Sequence, residues 1–311
     1  MRIVFAGTPE VAVPSLRALL DSNHEIVGVL TRPDAGRGRG RRATPSPVRV
    51  VAEEAGIPVL TPERLREPEV ATTLQDWGTE AVAVVAYGNL VPPELLGQPR
   101  HGWVNLHFSL LPAWRGAAPV QHALLHGDDV TGAVTFVLEE GLDTGPILGR
   151  LTESVRPGDT SGALLERLAW AGADLLVATM DALEAGTVVP EEQPSHGVSH
   201  APKVGVEDAR VDWSHPALAV DRRIRAMTPA PGAWTTFRGE RLKLGPVSPV
   251  EDLGVAALAP GQVRADKKQV LIGTATVPVR LGLVTPHGKR EMPAADWARG
   301  SRIEEDEQVG A

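Results

Sequence analysis

The chain contains no cysteine, which excludes disulfides, thiolate catalysis and Cys-bound metals. No apolar run approaches the roughly 18 residues needed to span a bilayer. Residues 1–7 read as a first strand, broken at once by Gly7 and Pro9 and too short for the apolar core of a secretory signal. A cytoplasmic location and no membrane partner are therefore expected. Internal repeats and long low-complexity segments are also missing, and so is any basic excess. With 31 basic against 39 acidic residues the net charge is −8, which argues against a large nonspecific nucleic-acid binder. What remains is a globular composition, 42% hydrophobic and 23% charged over 311 residues, enough for one large or two ordinary domains.

Apolar runs alternate with helical patterns along the first two thirds. Residues 3–6, 26–31, 59–60, 81–86, 104–107 and 133–138 read as strands, and 9–20, 47–55, 63–77, 119–126 and 161–184 as helices. Such βαβ alternation predicts an α/β fold with a doubly wound, mostly parallel, Rossmann-like sheet whose ligand lies at the strands' carboxyl ends. Residues 190–206, rich in Pro, Gly, Ser and His, read as a linker between a catalytic domain at 1–189 and a second domain at 207–311. After a helix at 217–227 come short β-like runs at 234–237, 242–244, 262–265, 270–272 and 277–283, which suit a small barrel.

The densest chemistry lies between Trp103 and Leu148. A strand's period of two puts Asn105 and His107 on one face, and Ser109-Leu110-Leu111-Pro112 ends that strand. Asp143 follows in Gly141-Leu142-Asp143-Thr144-Gly145, where a second strand would deliver it to the same edge. Asn, His and Asp suit acyl transfer between nitrogens without a covalent enzyme intermediate. Amide and imidazole N–H groups would stabilise the oxyanion, and the carboxylate would take protons from the attacking amine. The bland alternative leaves Asn105 and His107 as strand-end residues satisfied by backbone, and Asp143 as a turn carboxylate.

Beside these stand Phe5-Ala6-Gly7-Thr8-Pro9, Ala35-Gly36-Arg37-Gly38, Pro45-Ser46-Pro47-Val48, Val84-Val85-Ala86-Tyr87-Gly88, the run from Asn105 to Pro119, and Ala209-Arg210-Val211-Asp212-Trp213-Ser214. On these motifs the chain resembles the methionyl-tRNA formyltransferase family of the formyltetrahydrofolate-dependent formyltransferase superfamily, over nearly its whole length. The resemblance implies Asn105, His107 and Asp143 as the catalytic trio, 10-formyltetrahydrofolate as formyl donor and charged initiator methionyl-tRNA as acceptor. It implies an oligonucleotide-binding (OB-like) β-barrel as the second domain, helping to hold tRNA, and a monomer acting in translation initiation. Folate contacts are expected from Ala86, Tyr87, Gly88, Leu90, Ser109, Leu110, Leu111, Pro112, Glu139, Glu140 and Gly141. Contacts to tRNA are expected from Arg37, Arg39, Arg41, Arg42, Lys203 and Arg210. Phe108, Val134 and Ala230 depart from the family's pattern, and none belongs to the trio.

The net acidity does not conflict with a tRNA ligand. Arg32, Arg37, Arg39, Arg41, Arg42 and Arg49 face one acid, Asp34, across residues 31–49, which makes a cationic loop on an acidic body. Read on composition alone, that loop is equally a solvated surface segment. Its Gly36-x-Gly38-x-Gly40 is followed by Thr44-Pro45-Ser46-Pro47 rather than a helix and has no Gly-Lys-Ser/Thr ending, which disfavours a phosphate cradle. His122 and His126 share a probable helix face at metal-ligand spacing, but no third ligand is evident, so no metal is expected. Arg115 could anchor a substrate phosphate or cap local carbonyls. Ser109 lacks a Gly-x-Ser-x-Gly setting and is not read as a nucleophile. The alternatives to formylation of tRNA are an amino-sugar nucleotide formyltransferase using the same trio, a tRNA-binding module with a vestigial trio, and folate hydrolysis to formate. A dinucleotide dehydrogenase is disfavoured, because Gly7-Thr8-Pro9 lacks the required glycine spacing.

Overall fold

In a computed structural model, residues 1–37, 42–251, 258–304 and 307–310 are described. The first part of the chain runs β1 (Arg2–Gly7), α1 (Val13–Leu20), β2 (Glu25–Leu30), β3 (Ala35–Arg37), β4 (Arg42–Thr44), α2 (Pro47–Glu54), β5 (Val59–Leu60), α3 (Pro68–Asp76) and β6 (Ala81–Val85). It continues through α4 (Pro93–Leu96), β7 (Trp103–His107), α5 (Pro119–His126), β8 (Val130–Val137), β9 (Ile147–Ser154) and α6 (Ser161–Glu184). Seven strands form one sheet in the order β5-β2-β1-β6-β7-β8-β9. The pairs from β5 to β7 are parallel, and β8 and β9 are antiparallel. Every residue of β6 is buried, as are all but the first of β1 and β2. Burial on both faces explains why these strands read as continuous apolar runs rather than alternating ones.

Local chemistry sets several boundaries. Ser46 caps α2 by accepting the Arg49 N–H at 3.0 Å, with Pro47 in the first turn. The expected helix at 63–77 begins only at Pro68, and the one at 9–20 only at Val13 after a short 3₁₀ turn. Pro14 and Pro68, in the first turns, lack the N–H that a helix beginning further toward the amino terminus would require. Strand β9 was not foreseen. Its half-exposed face carries Arg150, Thr152 and Ser154, so it offers no apolar run.

The chain divides into two compact units. The first comprises Met1–Pro119, Val130–Ser154 and Leu165–His200, and the second Val120–Asp129, Val155–Leu164 and Ala201–Ala311. This differs from a catalytic domain ending at 189 followed by a linker at 190–206, because the first unit keeps residues up to His200. Glu191 and Ile147 exchange backbone hydrogen bonds at 2.8 Å each, and the Arg115 N–H donates to the Ser199 carbonyl at 2.9 Å. The segment runs as an extended strap whose backbone groups pair with the sheet edge and a turn.

In the second unit follow α7 (Ala217–Ala226), β10 (Trp234–Phe237), β11 (Glu240–Leu244), β12 (Val247–Pro249), β13 (Val263–Ala265), β14 (Val270–Ile272), β15 (Val279–Leu281), β16 (Leu283–Pro286), β17 (Met292–Pro293) and α8 (Ala294–Ser301). Two four-stranded antiparallel sheets, β10-β11-β16-β17 and β12-β15-β14-β13, share one apolar core that includes Trp213, Ile224, Phe237, Ile272, Val284 and Trp297. The run expected as one strand at 277–283 breaks at Gly282 into β15 and β16, which belong to different sheets. Among the described residues no helix is long and apolar enough to cross a membrane.

Candidate active site

A cavity of about 570 Å³ in the first unit is lined by Asn105, His107, Phe108, Gly116, the loop after β6 and the loop after β8. Its walls include Ala86, Tyr87, Gly88, Leu90, Glu139, Glu140, Gly141 and Asp143. Asn105 is half-buried on β7, and among the described residues no group is hydrogen bonded to its side-chain amide. His107, at the end of β7, is buried, and its Nε2–H donates to the Trp114 carbonyl at 2.9 Å. That bond fixes the neutral tautomer and turns Nδ1 toward Asp143, whose Oδ2 lies 3.8 Å away. The His107 ring also stands edge-on to Phe136, with centroids 6.3 Å apart. Burial holds this imidazole below its ordinary value of 6.5, against the opposing pull of the Asp143 carboxylate and the Trp114 carbonyl.

Asp143 arrives by a route that strand direction does not provide. Because β8 is antiparallel to β7, with Val137 opposite Val104 and Val134 opposite His107, the end of β8 lies beside the beginning of β7. The loop at 138–146 turns back, and Asp143 completes it in a left-handed conformation at φ 52°, which Asp tolerates better than most residues. Its Oδ2 accepts the Gly116 N–H at 2.7 Å. Gly116 itself sits at φ 125°, a region that favours glycine.

Ser109, Leu110, Leu111 and Pro112, expected as folate contacts, are not among the lining residues of this cavity. The Ser109 hydroxyl donates to the Ala113 carbonyl at 2.6 Å. Leu111 is buried with Val134, Phe136 and Ile147, and Leu110 packs against the same cluster. The Pro112 carbonyl accepts the Ser199 N–H at 3.3 Å. These four residues build the turn that carries the Trp114 carbonyl and the Gly116 N–H.

Sequence reasoning missed Val91, Leu96, Ala117 and Leu138 as lining residues. It also missed the supporting roles of Trp114 and Gly116, which act through backbone atoms that no side-chain pattern announces. The glycine after Arg115 was the one available signal. Among the described residues the Arg115 side chain is bonded to no backbone carbonyl. Its guanidinium donates to Gln193 Oε1 from Nε at 3.2 Å and from Nη2 at 2.7 Å.

Of the residues expected to meet tRNA, Arg39 and Arg41 lie outside the described residues, and Arg37 and Arg42 are described by backbone only, as the paired ends of the β3–β4 hairpin. Arg49, in the same basic segment, is paired with Asp34 at 3.1 Å and Glu53 at 2.7 Å. Lys203 is exposed. Arg210 stands 5.7 Å over the Trp234 ring and donates to the Gly310 carbonyl at 3.2 Å. His122 Nε2 and His126 Nδ1 bond to the Pro202 and His122 carbonyls at 3.1 and 2.8 Å.

A family model described as formyl transferase matches residues 1–180, and one described as formyl transferase, C-terminal domain, matches 203–302. Methionyl-tRNA formyltransferase of Salinispora arenicola (strain CNS-205) is 62% identical over 303 residues, covering 97% of this chain and 98% of that relative. The same-named protein of Thermobifida fusca (strain YX) is 62% identical over 310 residues, covering 100% of this chain and 99% of that one. Among solved structures, HypX from Aquifex aeolicus in complex with tetrahydrofolic acid superposes at TM-score 0.66 with 19% identity, over 96% of this chain and 47% of that one. The methionyl-tRNA formyltransferase of Clostridium thermocellum superposes at TM-score 0.57 with 14% identity, over 81% of this chain and 95% of that one. The structural likenesses concern the fold, while sequence identity of this extent over both domains carries the assignment: the chain belongs to the methionyl-tRNA formyltransferase family, enzymes that transfer a one-carbon formyl group.

Proposed function

We propose that this protein transfers the formyl group of 10-formyltetrahydrofolate to the α-amine of methionine esterified to initiator tRNA. The observation that carries the reading is the convergence of the Asn105 amide, the His107 imidazole and the Asp143 carboxyl on one cavity. The cavity fits a folate donor. Its walls offer backbone groups from the loops after β6 and β8 to a flat, donor- and acceptor-rich pterin, and apolar surface from Val84, Leu96 and Leu138 to the ring faces.

Asn105 donates to the oxygen that becomes an oxyanion when the amine attacks the formyl carbon. His107 adds a second donor from Nδ1 when that atom holds a proton, which the neighbouring Asp143 favours and burial opposes. Asp143 takes the proton that the amine loses, directly or through one water. A carbon–nitrogen bond to the amine forms, the bond to the folate nitrogen breaks, and that nitrogen departs with a proton, so no oxidant or reductant is needed. Arg37, Arg39, Arg41, Arg42, Lys203 and Arg210 supply positive charge for the tRNA backbone. The enzyme works in the cytoplasm, as a monomer.

The test supplies 10-formyltetrahydrofolate with charged initiator tRNA, charged elongator tRNA, a nucleotide-linked amino sugar or no acceptor. Formyl-methionine on initiator tRNA alone is the expected product. Formylated sugar, or formate released without acceptor, would overturn the assignment to tRNA.

A further inference from the structure

Outside the cavity lining, the half-buried Gln193 amide joins the two segments that carry the site's backbone support. Its Nε2 donates to the carbonyls of Asp143 at 2.8 Å and Gly145 at 2.9 Å. Its Oε1 accepts both guanidinium bonds from Arg115. Both donors and both acceptor positions of the amide are therefore used. The opposite orientation would set NH₂ against the guanidinium and oxygen against two carbonyls, so the network fixes the amide's direction. The bonds also close a ring: Gln193 holds Arg115, the next residue Gly116 donates to Asp143 Oδ2, and the Asp143 carbonyl returns to Gln193.

We propose that Gln193 is a positioning residue for formyl transfer, holding the 138–146 loop so that the Asp143 carboxyl stays in register with His107 and the cavity. Asp143 sits in a left-handed conformation that L residues adopt only with outside support. The Gly116 bond holds its side chain and Gln193 holds its backbone. The neighbouring strap has the same purpose on the other side of the ring, where the Ser199 hydroxyl accepts the Trp114 N–H at 2.9 Å while the Trp114 carbonyl receives His107. The kinetic part of this inference rests on the formyl-transfer reading, whereas the structural part does not.

The experiment compares wild type with Gln193→Ala, Gln193→Glu and Arg115→Ala, with and without Gln193→Ala. Gln193→Glu keeps an acceptor for Arg115 but sets a carboxylate oxygen against the two loop carbonyls, so it separates the two halves of the bridge. In both Gln193 variants kcat should fall roughly ten- to a hundredfold, the scale of an ångström's misplacement, with KM for folate and tRNA within about twofold of wild type. Amide hydrogen exchange should accelerate across 138–146 and stay unchanged in β1, β6 and β7. Adding Arg115→Ala to Gln193→Ala should cost less than Arg115→Ala does alone. A kcat within twofold of wild type, KM values that rise in step with the loss, or unchanged exchange at 138–146 would overturn the proposal. If Gln193→Ala fails to fold, the same readings on Gln193→Glu decide it. A wild type that transfers no formyl group would sink the functional reading alone, and loop exchange would still decide the positioning role.

Discussion

The turn after β7 and the loop after β8 both serve the same three side chains, yet they are held in opposite ways. The turn is held by a bond within it, by apolar burial and by Ser199 of the strap. Ser109 bonds to Ala113 within it, and Leu111 anchors it in a buried cluster with Val134, Phe136 and Ile147. The 138–146 loop has Leu142 exposed, and Asp143 depends on partners distant in sequence, Gly116 and Gln193. The difference teaches where each part fails: damage to the turn should appear as lost stability, and damage to the loop's partners as lost rate.

The largest effects should come from the groups that both segments aim at the cavity. His107→Ala removes a titratable group from the site and should lower kcat by roughly two to four orders of magnitude. Asn105→Ala removes the proposed oxyanion donor and should cost about 10²–10³ in kcat. In both variants tRNA affinity, read by filter binding, should stay near the wild-type value. A loss of only a few fold in both would mean that the trio does not carry the reaction.

Gly116→Ala comes next, because it strikes the loop's partner rather than the chemistry. Forcing an alanine to φ 125° costs about 1–3 kcal/mol of strain, and a tenfold fall in kcat corresponds to about 1.4 kcal/mol of that reaching the barrier. Rate should suffer more than folate KM, and equal damage to both would erase the contrast between segments. Leu111→Ala is the complementary break. Losing a buried leucine should cost about 2–5 kcal/mol in urea unfolding, with kcat of the folded enzyme changed by less than about threefold. A large kcat loss without destabilisation would make Leu111 part of the site rather than of its support.

The same contrast explains what could be read from the sequence. The parallel strands were legible because burial on both faces leaves continuous apolar runs, as in β1 and β6. Edge strand β9 was not, since half its residues face out. Asn105, His107 and Asp143 stood out as chemistry-bearing side chains, whereas the Trp114 carbonyl and the Gly116 N–H are backbone groups that any residue carries. Gln193 was hidden for another reason. Its Pro- and Gly-rich neighbourhood has a linker's composition, and only tertiary pairing through Glu191 and Ser199 makes it part of the first unit. The Ser109–Pro112 turn was legible as a strand-ending motif, whereas the Ser109–Ala113 bond and the Leu111 packing that hold it come from tertiary structure.

The smallest expected effect is a pH dependence of stability. The folded His107 imidazole lies below its ordinary value, so as pH falls below about 6.5 the unfolded chain takes up the proton first. Its contribution is therefore complete above that pH and is lost on acidification. His24, lowered mainly by burial and then by the amino terminus, contributes in the same direction. Urea unfolding at pH 7.5, 6.5 and 5.5 should show wild type losing more stability than His107→Asn over that range. Parallel slopes would mean that His107 is not held neutral by burial.

The most direct test of the central claim, that the 138–146 loop serves to place one carboxyl at the reacting nitrogen, is single-turnover formyl transfer by Asp143→Asn with folate and charged initiator tRNA bound. The expected result is a transfer rate at least about a hundredfold below wild type, with both substrates bound as tightly as before. A rate within a few fold of wild type would contradict it and leave the loop as a cavity wall without a part in the chemistry.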